Sequence, residues 1–78
     1  MNFNEKTVGI NIRKYRLYNE LNQHWLAKQV GISRKTLIAY EKGYSTVPPH
    51  LYNCFAQALS TTAERLLGNI NTTPPPIK

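Results

Sequence analysis

Residues 22–43, NQHWLAKQVGISRKTLIAYEKG, leave this chain few options. They predict two short helices joined by a turn too tight to let them run side by side. Asn22 suits the start of the first, because its side-chain oxygen can accept a bond from a backbone N–H that has no helical partner. Leu26, Ala27 and Val30 follow at helical spacing and define one buried stripe. Gly31 stands just past that helix, where a left-handed residue ends a helix without a Cβ penalty. Ser33 can cap a second helix that buries Leu37, Tyr40 and part of Glu41 and closes at Gly43. A short glycine-containing turn of this kind sets two helices at roughly 90–120°. The second helix then presents Arg34, Lys35, Ile38 and Ala39 away from the core, beginning at its N-terminus. A positively charged helix start with short side chains further along is shaped to enter a DNA major groove.

The remainder of the chain supports this helix pair. At 78 residues it is one small domain that must bury its apolar side chains economically. Ten Lys and Arg against four Asp and Glu give a net charge of +6, and eight of the ten lie between Lys6 and Lys42. Concentrating the charge there points to a polyanionic partner, although charge alone fits a solubilising surface equally well. A single cysteine excludes an internal disulfide and argues against a cysteine-based zinc site. His24 and His50 lack metal-ligand spacing, and the chain holds no Gly-rich phosphate loop, nucleophile–base arrangement or carboxylate pair. Neither enzymatic activity nor a cofactor or metal is expected. The first ten residues, MNFNEKTVGI, contain no apolar leader, and no stretch is long enough to cross a membrane, so a cytoplasmic protein is expected.

Ahead of the pair, a first helix is expected over residues 7–18, with Thr7 as its cap and Val8, Ile12 and Tyr15 on its buried face. Arg13, Lys14 and Arg16 ride on it. Asn19 and Glu20 break it, and Leu21 turns the chain back toward the core. After Gly43, YSTVPP is a loop signal, and Pro48 or Pro49 fits the first turn of a fourth helix. Leu51, Tyr52, Phe55, Ala58 and Leu59 give that helix its apolar face, with Cys54 half-buried on it. Ser60 and Thr61 end it, and Thr62 can cap a short fifth helix, AERLL, stopped at Gly68. The expected fold is all-α: a compact bundle of five short helices containing a helix-turn-helix. A flexible N-terminus spans residues 1–7, the DNA-binding domain residues 8–68, and a Pro-rich tail or linker stub residues 69–78.

Taken together, INIRKYR, LNQHWLAKQVGISRKTL, AYEKG, FAQAL and AERLLG resemble, in order and spacing, the lambda-repressor-like helix-turn-helix domains, the XRE family of phage repressors and Cro proteins. The resemblance covers residues 8–68. It implies five helices with the third as reader, binding to an operator in double-stranded DNA, and action as a homodimer on that DNA. It also implies a repressor of phage or mobile-element type. Arg16 matches a helix-one arginine that pairs with a glutamate at the end of helix three, here Glu41, as a structural ion pair and not a DNA contact. Gln23 matches a glutamine that touches a DNA phosphate or braces a side chain on helix three. A dimer surface is expected from the fourth helix, its preceding loop and the fifth helix, opposite the reading helix, with Leu51, Tyr52 and Ile70 as members.

The candidate DNA-binding residues are therefore Gln23, Arg34, Lys35, Thr36, Ile38, Ala39, Lys42, Tyr44 and Ser45. Arg34 and Lys35 can each donate to guanine O6 and N7; the alternative is phosphate contact without sequence choice. Thr36 can reach base or phosphate. The Ile38 and Ala39 side chains can pack on thymine methyl groups or simply fill space. Lys42, Tyr44 and Ser45 leave helix three where the chain crosses the sugar-phosphate backbone, and Arg13 and Lys14 can add to that contact. Lys28 reads as an ordinary solvated lysine. Trp25 stands where the family usually has a polar residue. It either packs at the core edge against Tyr18 and Leu21 or marks a protein partner's surface. That second option defines the alternative function, a protein-interaction module such as an antitoxin or antirepressor on the same fold.

Overall fold

The computed structural model describes residues 5–68; the proposed tail, with Ile70, and the first four residues lie outside them. Five α-helices follow in order: α1 (Glu5–Tyr18), α2 (Gln23–Val30), α3 (Arg34–Lys42), α4 (Tyr52–Ala58) and α5 (Ala63–Leu66). The described residues form no strand. Helix α1 already includes Glu5, so Thr7 lies inside it and is not its cap. Glu and Lys are strong helix formers, and the EK pair carries the helix upstream of the expected boundary. The fourth helix also begins differently: Pro49–Leu51 forms a 3-10 turn that runs directly into α4.

Local chemistry accounts for the other ends. The Asn22, Ser33 and Thr62 side chains accept the backbone N–H groups of Trp25, Thr36 and Arg65, each satisfying a donor the helix itself leaves open. Helix α2 ends on Gly31 at φ 86° and α3 on Gly43 at φ 79°, both left-handed. Glu20 and Ser60 also adopt positive φ, at 57° and 58°, at the two breaks the sequence marks.

The core is shared by all five helices. Val8, Ile12, Leu26, Leu37, Phe55, Leu59 and Leu66 are its fully buried members. The Tyr40 and Phe55 rings meet edge-on, with centroids 6.3 Å apart, which ties α3 to α4. Helix α3 packs against both α1 and α2, α2 also packs on α4, and α5 closes the bundle against α1 and α4. Phe55, Ala56 and Leu59 set the inward face of α4, so Cys54 points outward and is exposed rather than half-buried.

Two contacts position α1. A Cβ at Gly9 would overlap the Tyr40 carbonyl, so the backbones of α1 and α3 meet there with no room for a side chain. Asn11, 3% exposed, donates from Nδ2 to the carbonyls of Leu66 and Gly68, both at 2.9 Å, and so holds the end of α5 against α1. Asn19 does the same for the end of α4, donating to the Leu59 carbonyl at 2.9 Å.

Candidate nucleic-acid interface

The start of α3 is built by its cap. The Thr36 N–H donates to Ser33 Oγ at 3.0 Å, and the Ser33 hydroxyl donates in turn to Thr36 Oγ1 at 2.9 Å. Thr36 is thereby half-buried and engaged, with its own hydroxyl hydrogen left to donate outward. Arg34 and Lys35, in the same turn, are exposed. Lys42 is exposed two turns beyond Lys35, which places the two residues on one side of the helix about 10 Å apart along its axis. Ile38 and Ala39 lie between them and are half-buried, so the outward surface in the middle of α3 is shallow and less open than its ends.

At the exit, the Tyr44 and Ser45 N–H groups both donate to the Ala39 carbonyl, at 2.9 and 3.3 Å. This wraps the chain tightly over the end of α3. Tyr44 is left 78% exposed, the most open large hydrophobic side chain of the described residues, with Ser45 exposed beside it.

This same end of α3 is anchored inside the protein. Arg16 Nε donates to Glu41 Oε2 at 2.7 Å and Arg16 Nη2 to Glu41 Oε1 at 3.0 Å, a two-pronged ion pair whose side chains are only 9% and 2% exposed. Arg16 Nη1 donates to the Leu21 carbonyl at 2.9 Å, so the guanidinium also fastens the turn leading to α2. Gln23, in the first turn of α2, joins this pair to the surface. Its Nε2 donates to Glu41 Oε1 at 3.1 Å, and its Oε1 accepts from Arg34 Nε at 3.3 Å. In this structure Gln23 thus braces helix α3 at both ends.

Some residues singled out from sequence fall outside this cluster. Trp25 is 39% exposed on α2 and Tyr18 is 40% exposed on α1. Leu51 and Tyr52 are half-buried and pack against the core. Arg13 and Lys28 are exposed. No group of three or more His, Cys, Asp or Glu converges among the described residues. Nor does any described helix have the length and apolarity to cross a membrane. Sequence reasoning did not single out Gly9 or Asn11, whose partners are distant in sequence. The α1 register offered a weak signal: Gly9 shares the face of Arg16, the face that meets α3.

With this geometry in place, comparison with known proteins adds one finding. Over 86% of this chain and 83% of the other, the structure superposes on that of a hypothetical transcription factor, NHTF, from Neisseria, with a TM-score of 0.71 and 24% sequence identity. The two chains share a fold. No protein-family model matches the sequence, and no curated protein matches it.

Proposed function

We propose that this protein is a sequence-specific, double-stranded-DNA-binding transcription regulator that reads the major groove with α3. The observation that carries the reading is the exposed cationic first turn of α3, Arg34 and Lys35, on a helix whose far end is fixed by a buried ion pair. The fold shared with a protein described as a transcription factor supports it. Arg34 and Lys35 donate to base edges. Ile38 and Ala39 pack on thymine methyl groups, and Thr36 adds a hydroxyl contact. Lys42, Tyr44 and Ser45 engage the phosphate backbone beyond the reading turn, and Gln23 braces Arg34. The protein acts in the cytoplasm as a repressor of the phage or mobile-element type, by occupying promoter DNA. It does so as a homodimer that sets two α3 helices one DNA turn apart, roughly 34–36 Å.

The test is selection from a random duplex library, followed by anisotropy titration of the enriched site against a scrambled duplex. A specific reader prefers the enriched site by roughly 10³-fold or more. Failure to enrich any motif, with equal binding to heparin and to all duplexes, refutes the reading. Trp25, exposed on α2, favours one second reading, a protein-interaction module. In that case its fluorescence shifts with a protein partner and stays unchanged with duplex DNA.

A further inference from the structure

Four side chains form a single line from the core to the groove-facing surface: Arg16, Glu41, Gln23 and Arg34. The direction of every bond in it is forced. A guanidinium only donates and a carboxylate only accepts; a carboxamide does both, from opposite ends. Gln23 sits between Glu41 and Arg34, so its NH2 must face the carboxylate and its oxygen must face the arginine. Glu41 therefore decides which end of Gln23 is offered to residue 34. Without the carboxylate, the Gln23 amide has no internal partner to set its orientation.

We propose that Glu41 is a specificity-determining residue for DNA readout, although its side chain is 2% exposed and does not reach the surface. It acts through Gln23, which is the positioning residue for Arg34. The buried pair thus holds α3 in place and also orients the guanidinium that α3 presents. Arg34 is exposed, and a long side chain there otherwise samples many rotamers. The tether at Nε narrows that range and leaves the two terminal nitrogens to form a two-pronged contact with guanine. This inference rests on the DNA-reading function proposed above, and its test separates the two.

The variant of choice is R16M/E41M, which replaces the pair with apolar side chains of similar length and so leaves no orphaned buried charge. The first measurement needs no DNA: nitrogen-15 NMR of the arginine Nε–H groups in the free protein. In the wild type, Arg34 Nε–H should exchange with solvent about threefold to tenfold more slowly than that of exposed Arg13, the range an ordinary net hydrogen bond supports. In R16M/E41M that protection should disappear. The second measurement is discrimination between guanine and adenine at the base pair Arg34 contacts. It should fall about threefold to tenfold in R16M/E41M, with binding to scrambled duplex unchanged. In a Q23A background the same double substitution should leave discrimination unaltered, which a general loosening of the fold would not do.

If R16M/E41M does not fold, Q23L cuts the line while keeping the ion pair and must give the same two losses. Unchanged Arg34 exchange, or unchanged discrimination, overturns the proposal. So does an equal effect of the double substitution with and without Gln23. If the wild type selects no DNA sequence while Arg34 exchange is protected as expected, the DNA-reading function fails. The role of Glu41 in specificity falls with it, and the side-chain line stands as a structural fact alone.

Discussion

Replacing Glu41 with alanine should cost this domain a large share of its stability. The carboxylate accepts three bonds, from Arg16 Nε, Arg16 Nη2 and Gln23 Nε2. Its removal leaves the Arg16 guanidinium, 9% exposed, with the Leu21 carbonyl as its remaining acceptor among the described residues. A buried charge stripped of its partner typically costs about 3–5 kcal/mol. A domain of this size has a total stability of roughly 4–12 kcal/mol, so the variant should sit near the edge of folding at 25 °C. Urea denaturation followed by circular dichroism measures the loss as a lower midpoint at unchanged slope. DNA affinity, corrected for the folded fraction, should change much less than stability. The R16M/E41M variant should recover most of the loss, because it removes the stranded charge along with its partner. A Glu41→Ala midpoint equal to the wild type refutes the reasoning. A double variant as unstable as the single one refutes the part that blames the orphaned guanidinium.

Other substitutions probe separate parts of the structure. Arg34→Ala should weaken the best site by roughly 1–3 kcal/mol and leave scrambled duplex nearly as well bound, whereas Lys42→Ala should weaken both alike and lower the salt slope by about one ion; anisotropy at several salt concentrations separates them. Gly9→Ala should destabilise despite alanine's better helix propensity, since the new methyl meets the Tyr40 carbonyl; a net loss of about 1–3 kcal/mol lowers Tm by roughly 4–24 °C, and an unchanged Tm counts against the close approach. Asn11→Ala should cost about 1–3 kcal/mol by leaving the Leu66 and Gly68 carbonyls without their donor, with hydrogen exchange in α5 rising most. Tyr15→Phe should be neutral or stabilising in a thermal melt, because the buried Tyr15 hydroxyl has no partner among the described residues.

What could be read from the sequence, and what could not, divides by the range of the interactions involved. Asn22, Ser33 and Thr62 announce helix starts because a cap bonds a residue three positions away, and Gly31 and Gly43 announce ends for equally local reasons. The buried positions of α2 and α3 follow from helical spacing. The exposed cationic turn at Arg34 and Lys35 follows from the Ser33 cap. Gly9 carries only the weak signal of sharing the Arg16 face of α1: within a helix it looks like a poor helix former, and the approach of α3 explains it. Asn11 looks like a surface residue, and its partners are 55 and 57 residues away. Gln23 has two plausible occupations in sequence, and the choice depends on where Glu41 and Arg34 stand in three dimensions. Cys54 was misplaced because one residue of helical rotation separates the inner face of α4 from the outer one.

The line from Arg16 to Arg34 also bears on how such a surface can be recoded. Among the described residues, no side-chain hydrogen bond or ion pair ties Lys35, Ile38, Ala39 or Lys42 to the rest of the protein. Lys35 and Lys42, both exposed, can be randomised in a library seeking new targets at little risk to the fold, and the half-buried Ile38 and Ala39 can be varied alongside them among side chains of similar size. Position 34 is different. Its neighbour is a carbonyl oxygen whose orientation is set from inside, so it accepts a donor such as arginine, lysine or glutamine and penalises an aspartate or glutamate. A library that treats all five positions alike will spend a share of its members on acidic residues at position 34 that conflict with Gln23. One that couples position 34 to position 23, varying them as a pair, opens that alphabet without touching the core.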